Sequence, residues 1–169
     1  MSVATSTSLV TVEEYLKSTA KPNAEYIDGV VRPKPMPTYK HAKMESRLLR
    51  LIDRFEGFEA VPELTVKLRE RKYLVPDVAV QRSEELQEPY PEKAIYLCVE
   101  ILSPEDRPLR VNRKVREILD FGVPYVWVID PETLESDLHT TSGSRALEDG
   151  ILKIEGTAIE VPLRALNED

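Results

Sequence analysis

The sequence has little of what most metal and redox chemistries require. Cys98 is its single cysteine, so neither a disulfide framework nor a thiolate zinc site can be assembled within the chain, and a reducing, cytoplasmic setting is expected. Only two histidines are present, His41 and His139, which argues against a multi-histidine metal site or a histidine-dependent ββα nuclease. There is no phosphate-binding glycine loop, no G-x-S-x-G elbow and no dinucleotide fingerprint. No apolar run approaches the roughly 18 residues needed to span a membrane. The opening stretch MSVATSTSLVTVEEYLK has neither the basic nor the apolar region of a signal peptide. The expectation is a soluble, intracellular protein with no membrane partner, folded as one domain over residues 1–169.

Acid is abundant, but unevenly placed. The net charge is −7, which at first argues against nucleic acid, because phosphate binding leans on Lys and Arg. Residues 130–169 hold ten acids against Arg145, Lys153 and Arg164, and so carry the whole of that −7. The first 129 residues are therefore neutral, with twenty charges of each sign, and the acidity excludes no partner there.

Thr11 to Glu14 has capping-box spacing and starts a short helix through about residue 18, stopped by Pro22. A strand pair turns at Asp28-Gly29, a two-residue hairpin signal. Met44, Leu48, Leu51, Ile52 and Phe55 form the apolar stripe of a helix over about residues 40–56. Strands are expected at about 60–69, 74–81 and 94–102, then a helix over about 109–121 closed by Gly122, then a strand at 125–130 in which Tyr125 and Trp127 are core. The remainder reads as short strands between Gly and Ser turns. This order describes a mixed α/β domain around a central sheet.

Two of those strands each carry one lone acid. In AIYLCVEILSP, Ile95, Leu97, Val99 and Ile101 share one face, and Tyr96, Cys98, Glu100 and Leu102 the other. In KYLVPDVAVQ, Asp77 follows Pro76, where a strand can bend or lie at an edge. An unpaired charge in a covered sheet costs several kcal/mol or neutralises itself. Either each acid ends a strand, pairs with an arginine or faces water, or the two converge on a hard divalent cation, which Mg²⁺ chemistry permits with one or two carboxylates and several waters.

Pro76-Asp77 followed by Glu100-Ile101-Leu102 resembles the PD-(D/E)xK signature of the restriction-endonuclease-like superfamily. More closely, AEYIDG, PTYKHAKMESRLLRLI, PDVAV, VEILSP, RKVREILDFGVPYVWVIDPE and IEVPL are similar, in order, to a family of restriction endonucleases first catalogued as a domain of unknown function. The likeness covers most of the chain. It implies a restriction-endonuclease-like αβββαβ core, here with additional C-terminal strands, and an endonuclease that hydrolyses DNA phosphodiesters with Mg²⁺, or Mn²⁺ in its place. Asp77 and Glu100 would be metal ligands, helped by the backbone carbonyl of Ile101. Glu25 matches a further acidic position of the family, the other reading being a solvated strand residue. His41 matches a family histidine, although a lone histidine opening a helix is also an ordinary surface residue. By analogy with restriction enzymes alone, a homodimer is implied.

Two departures from the pattern stand out. Leu102 occupies the place of the signature lysine, which the family moves onto the following helix, where Lys114 aligns. The family carries an aspartate shortly before that lysine, and this chain offers Arg110 or Asn112. The departure at Arg110 favours an alternative, a catalytically silent nuclease-fold protein that binds nucleic acid or a protein partner. Lys114 is also the only charged residue within the arc of Val111, Val115, Ile118, Leu119 and Phe121. Its stem either packs there with the ammonium reaching water, or aims the ammonium at Glu100. Finally, Lys40, Lys43, Arg47, Arg50 and Arg54 recur as a basic helical stripe, which is either a solvated face or a track for DNA phosphates.

Overall fold

The computed structural model describes residues 9–19 and 23–167. Helix α1 (Val12–Lys17) starts as its capping box dictates: Thr11 Oγ1 accepts the Glu14 N–H at 3.2 Å, and Glu14 Oε2 accepts the Thr11 N–H at 2.8 Å. Ser18 is its C-cap; the expected stop at Pro22 lies outside the described residues. Strands β1 (Ala24–Ile27) and β2 (Val30–Pro33) form the expected hairpin. Asp28 and Gly29 turn it with φ of 50° and 95°, the pair of positive values a two-residue turn of this hand needs.

Helix α2 (Tyr39–Ile52) is capped by Thr38 and buries Met44, Leu48 and Ile52. It stops short of residue 56, and Phe55 folds back to donate its N–H to the Ile52 carbonyl.

The two long strands expected next are each broken. The first divides into β3 (Phe58–Pro62) and β4 (Val66–Arg69), the second into β5 (Lys72–Leu74) and β6 (Val78–Arg82). Pro62 and Pro76 sit at the breaks and have no N–H to continue a ladder. The breaks face each other: Pro62 pairs with Val78, and the Glu63 N–H donates to the Asp77 carbonyl at 3.0 Å. The antiparallel ribbon thus leaves one sheet and enters another at Glu63 and Asp77. Strands β4 and β5 join the hairpin in a four-stranded antiparallel sheet ordered β2-β1-β5-β4, on which Tyr15 of α1 packs against Tyr26 and Tyr73.

The main sheet is completed by β7 (Leu97–Ile101), β8 (Tyr125–Ile129), β9 (Ser136–Thr140) and β10 (Gly143–Ala146), in the order β10-β9-β8-β7-β6-β3. Its one parallel pair, β7 and β8, is joined by helix α3 (Pro108–Asp120), a crossover that parallel neighbours require. Helix α2 covers one face, where its buried stripe meets Val78, Val80, Leu97, Val99, Ile101 and Trp127. Helix α3 covers the other, where Val115 and Ile118 meet Ala79, Cys98, Val126 and Val128. Ile95 departs from expectation: β7 begins only at Leu97, so the alternation does not reach back, and Ile95 packs in the α3 cluster.

The remaining chain adds β11 (Ile151–Lys153) paired with β12 (Glu160–Pro162), and a 3-10 turn over Leu163–Leu166 packed on α2. Elements α2, β3, β6, β7, α3 and β8 are the αβββαβ core, with β9 to β12 as the additional C-terminal strands. Among the described residues, no helix is long and apolar enough to cross a membrane.

Candidate active site

Strand β7 is buried along its whole length, Glu100 included. Alternation puts Glu100 on the α3 side, at the end of β7 where the two sheets part. The register that pairs Val78 with Val99 brings Asp77, one step beyond β6, beside it. Asp77 is 3% exposed and Glu100 9%, so both acids require compensation.

That compensation comes from two lysines and a histidine. Lys114, almost two turns into α3, places Nζ 2.8 Å from Glu100 Oε2 and 2.7 Å from Glu25 Oε1. Lys34, just after β2, places Nζ 2.6 Å from Asp77 Oδ1. His41, in the first turn of α2, has Nε2 3.4 Å from Asp77 Oδ2, and its Nδ1 lies 3.9 Å from Glu45. Asp77 Oδ2 also accepts the Ile101 N–H at 2.6 Å. These groups line one cleft between the sheets, with a water-accessible interior of about 70 Å³, room for a hydrated cation but little more.

The electrostatics divide the two acids. Burial alone would raise the Asp77 carboxyl, but the His41 hydrogen bond and the Lys34 charge outweigh it and hold the group well below the usual range. Glu100 goes the other way: burial raises it to about 7, opposed by Lys114 and reinforced by Asp77. Burial disfavours the Lys114 ammonium, yet Glu100 and Glu25 together raise its pKa and keep it charged. Among the buried polar atoms of the cleft, Glu100 Oε1 and His41 Nδ1 have no hydrogen-bond partner, while Glu25 Oε1 meets Lys114 Nζ at 2.7 Å as an ion pair.

Asp77, Glu100, Ile101, Glu25, Lys114 and His41 are thus gathered in one place from β1, α2, the bend before β6, β7 and α3. Leu102 lines the same cleft, and Lys114 comes from the helix to the acid it would otherwise have flanked. Arg110, which with Asn112 is what the chain offers near the place of the family's acid, is exposed at the cleft wall. Two residues absent from the sequence reading complete the site, Lys34 and Glu63, whose carboxylate lies 3.4 Å from Lys34 Nζ. A signal for Lys34 existed in PKP, a lysine fixed between two prolines. Glu63 had none, because its place depends on the facing breaks.

The basic stripe of α2 lies elsewhere. None of Lys40, Lys43, Arg47, Arg50 and Arg54 lines the cleft. Arg47 donates to the Leu166 carbonyl at 2.8 Å, Lys40 pairs with Glu132, Lys43 lies over the Tyr39 ring and Arg50 donates to the Ser46 carbonyl.

A family profile described as "Putative restriction endonuclease", Uma2, matches residues 12–161. The chain belongs to the Uma2 family. Among solved structures, this Uma2 chain is similar to one titled as a putative nuclease belonging to DUF820 from Anabaena variabilis ATCC 29413, with a TM-score of 0.78 and 24% identity over 93% of this chain and 97% of the other. That likeness shows the fold, which is restriction-endonuclease-like. A search of curated proteins gives no match. The Uma2 chain therefore has a nuclease-like family and fold, with its buried acids and lysines at the junction of two sheets.

Proposed function

We propose that this protein is a metal-dependent endonuclease acting on DNA phosphodiesters. The observation that carries this reading is the buried, unpartnered Oε1 of Glu100, on a cleft shared with Asp77 and Lys114. Among the described residues, no three His, Cys, Asp or Glu side chains are grouped to hold a metal ion, so an ion here would rest on two carboxylates and draw its remaining ligands from backbone and water. Two carboxylates, the Ile101 carbonyl and water suit Mg²⁺ or Mn²⁺, hard ions that keep several waters.

Asp77 and Glu100 would hold that ion, which supplies Lewis acidity toward the phosphate and an acidified attacking water. Lys114, kept protonated by two acids, presents a compact positive charge that stabilises the developing charge on the scissile phosphate or orients the water. Glu25 holds Lys114 from the opposite side. The Ile101 N–H and His41 fix Asp77 Oδ2, so the carboxylate is oriented before any ligand arrives.

A second reading is favoured by two observations: both oxygens of Asp77 already have partners, and the chain offers only Arg110 or Asn112 shortly before Lys114, where the resemblance implies an acid. Under it the chain is a catalytically silent nuclease-fold protein that binds nucleic acid or a protein. Calorimetric titration of Mn²⁺ together with Mg²⁺-dependent plasmid cleavage separates the two. The enzyme reading expects one Mn²⁺ site, lost in Asp77→Asn and in Glu100→Gln, and nicked plasmid with wild type. Mn²⁺ binding that survives both substitutions would sink the metal assignment, and metal binding without cleavage across varied DNA substrates would favour the silent protein.

A further inference from the structure

The segment entering α2 reads Pro33-Lys34-Pro35-Met36-Pro37. Proline at 35 restricts Lys34 to extended backbone, and Pro33 has its own φ fixed, so Lys34 is presented with less freedom than an ordinary loop lysine. Its side chain is 13% exposed. Asp77 Oδ2 is engaged by the Ile101 N–H and His41, which leaves Oδ1 as the oxygen able to hold a cation, and Lys34 Nζ stands on it at 2.6 Å. An ammonium and a divalent ion on one oxygen of a buried carboxylate repel each other strongly.

Lys34 also has a second acceptor within reach. Glu63 Oε1 is 3.4 Å from Nζ, while Glu63 Oε2 accepts from Asn23 Nδ2. Glu63 has φ of 46°, a conformation uncommon outside glycine, and its N–H is bonded to the Asp77 carbonyl. Its carboxylate is therefore fixed beside Lys34 and outside the Asp77–Glu100 pair.

The geometry points to Lys34 as a tethered counter-ion that neutralises Asp77 in the metal-free protein and yields Oδ1 to a divalent cation by shifting onto Glu63. This rests on the two-carboxylate metal reading and deepens it. Lys34 sets the metal affinity of the site: the ion must displace an intramolecular charge, so binding is weaker than to an open pair. In return the metal-free fold never buries Asp77 uncompensated.

The test is calorimetric titration of Mn²⁺ into the full chain as wild type, Lys34→Gln, Glu63→Gln and the double variant, each also melted with and without Mn²⁺. Lys34→Gln is expected to bind Mn²⁺ about tenfold more tightly, to melt lower without metal, and to gain more from added Mn²⁺ than wild type does. Glu63→Gln alone should weaken Mn²⁺ binding, because the displaced ammonium loses its alternative partner, and should have no effect once residue 34 is Gln. That arm reads the exchange with Lys34 in place, even where Lys34→Gln folds poorly. Wild-type binding that is unchanged or weakened in Lys34→Gln overturns the role of Lys34, while the loss of that binding in Asp77→Asn, titrated alongside, keeps the two-carboxylate reading standing. So does a Glu63→Gln effect of equal size in both backgrounds. No Mn²⁺ binding by any variant, wild type included, overturns the two-carboxylate reading and this inference together.

Discussion

Lys114 Nζ lies between two buried carboxylates, 2.8 Å from Glu100 Oε2 and 2.7 Å from Glu25 Oε1. The three residues come from α3, β7 and β1, so one ammonium ties the main sheet, its covering helix and the smaller sheet together at the cleft.

Removing that ammonium should therefore have two separable effects. Lys114→Ala is expected to abolish Mg²⁺-dependent plasmid cleavage and to lower stability by about 3 kcal/mol or more, since breaking a buried pair leaves uncompensated charge. Lys114→Arg should not restore cleavage, because a planar guanidinium does not replace a compact point charge. Combining Lys114→Met with Glu25→Gln and Glu100→Gln, which neutralises both of its partners, should recover much of the stability on thermal melting and none of the activity. Full cleavage by Lys114→Ala would refute the assignment.

The two histidines should titrate on opposite sides of 6.5. Burial lowers His139. Burial also works against the His41 imidazolium, but Asp77 and Glu45 outweigh it and raise the pKa. A histidine raised on folding adds stability that is complete below its unfolded pKa and is lost as pH rises through the folded one. The metal-free protein should accordingly lose stability as pH climbs above about 6.5. In Asp77→Asn the His41 pKa should fall, because only Glu45 then supports the charge, while His139 stays where it was. Proton NMR titration of the two ring resonances measures this, and an unmoved His41 would contradict the pairing.

The α2 stripe should behave unevenly. Arg47→Ala is expected to cost about 1 kcal/mol of stability through the lost bond to the Leu166 carbonyl, visible on denaturant unfolding. Charge reversal at Arg47 and Arg50 together should weaken DNA binding and flatten its salt dependence only if the helix tracks phosphates. An unchanged salt slope identifies the stripe as a structural, solvated face.

The periodic elements were legible because their signals are local. The stripe of α2 needs only residues a turn apart, and Asp28-Gly29 announces its hairpin through backbone conformation alone. The strand breaks at Glu63 and Asp77 were not legible in the same way. Pro62 and Pro76 were visible, but which sheet each half-strand joins depends on partners far along the chain. The start of β7 at Leu97, and with it the side on which Ile95 packs, was settled by the pairing with β6 in the same manner.

For the site, the anomaly of Asp77 and Glu100 is plain along the chain, since lone acids in apolar strands demand compensation wherever the strands lie. The helical arc of α3 likewise pointed Lys114 inward. How that demand is met depends on the folded arrangement of the two sheets. Lys34, Glu63 and Glu25 reach the cleft from the hairpin and from the ribbon's bend, and no pattern along the chain encodes their distances to Asp77 or Glu100. The physical reason is that a charge in low dielectric responds to every opposite charge within a few ångströms, and such neighbours are chosen by the packing of two sheets rather than by spacing in sequence.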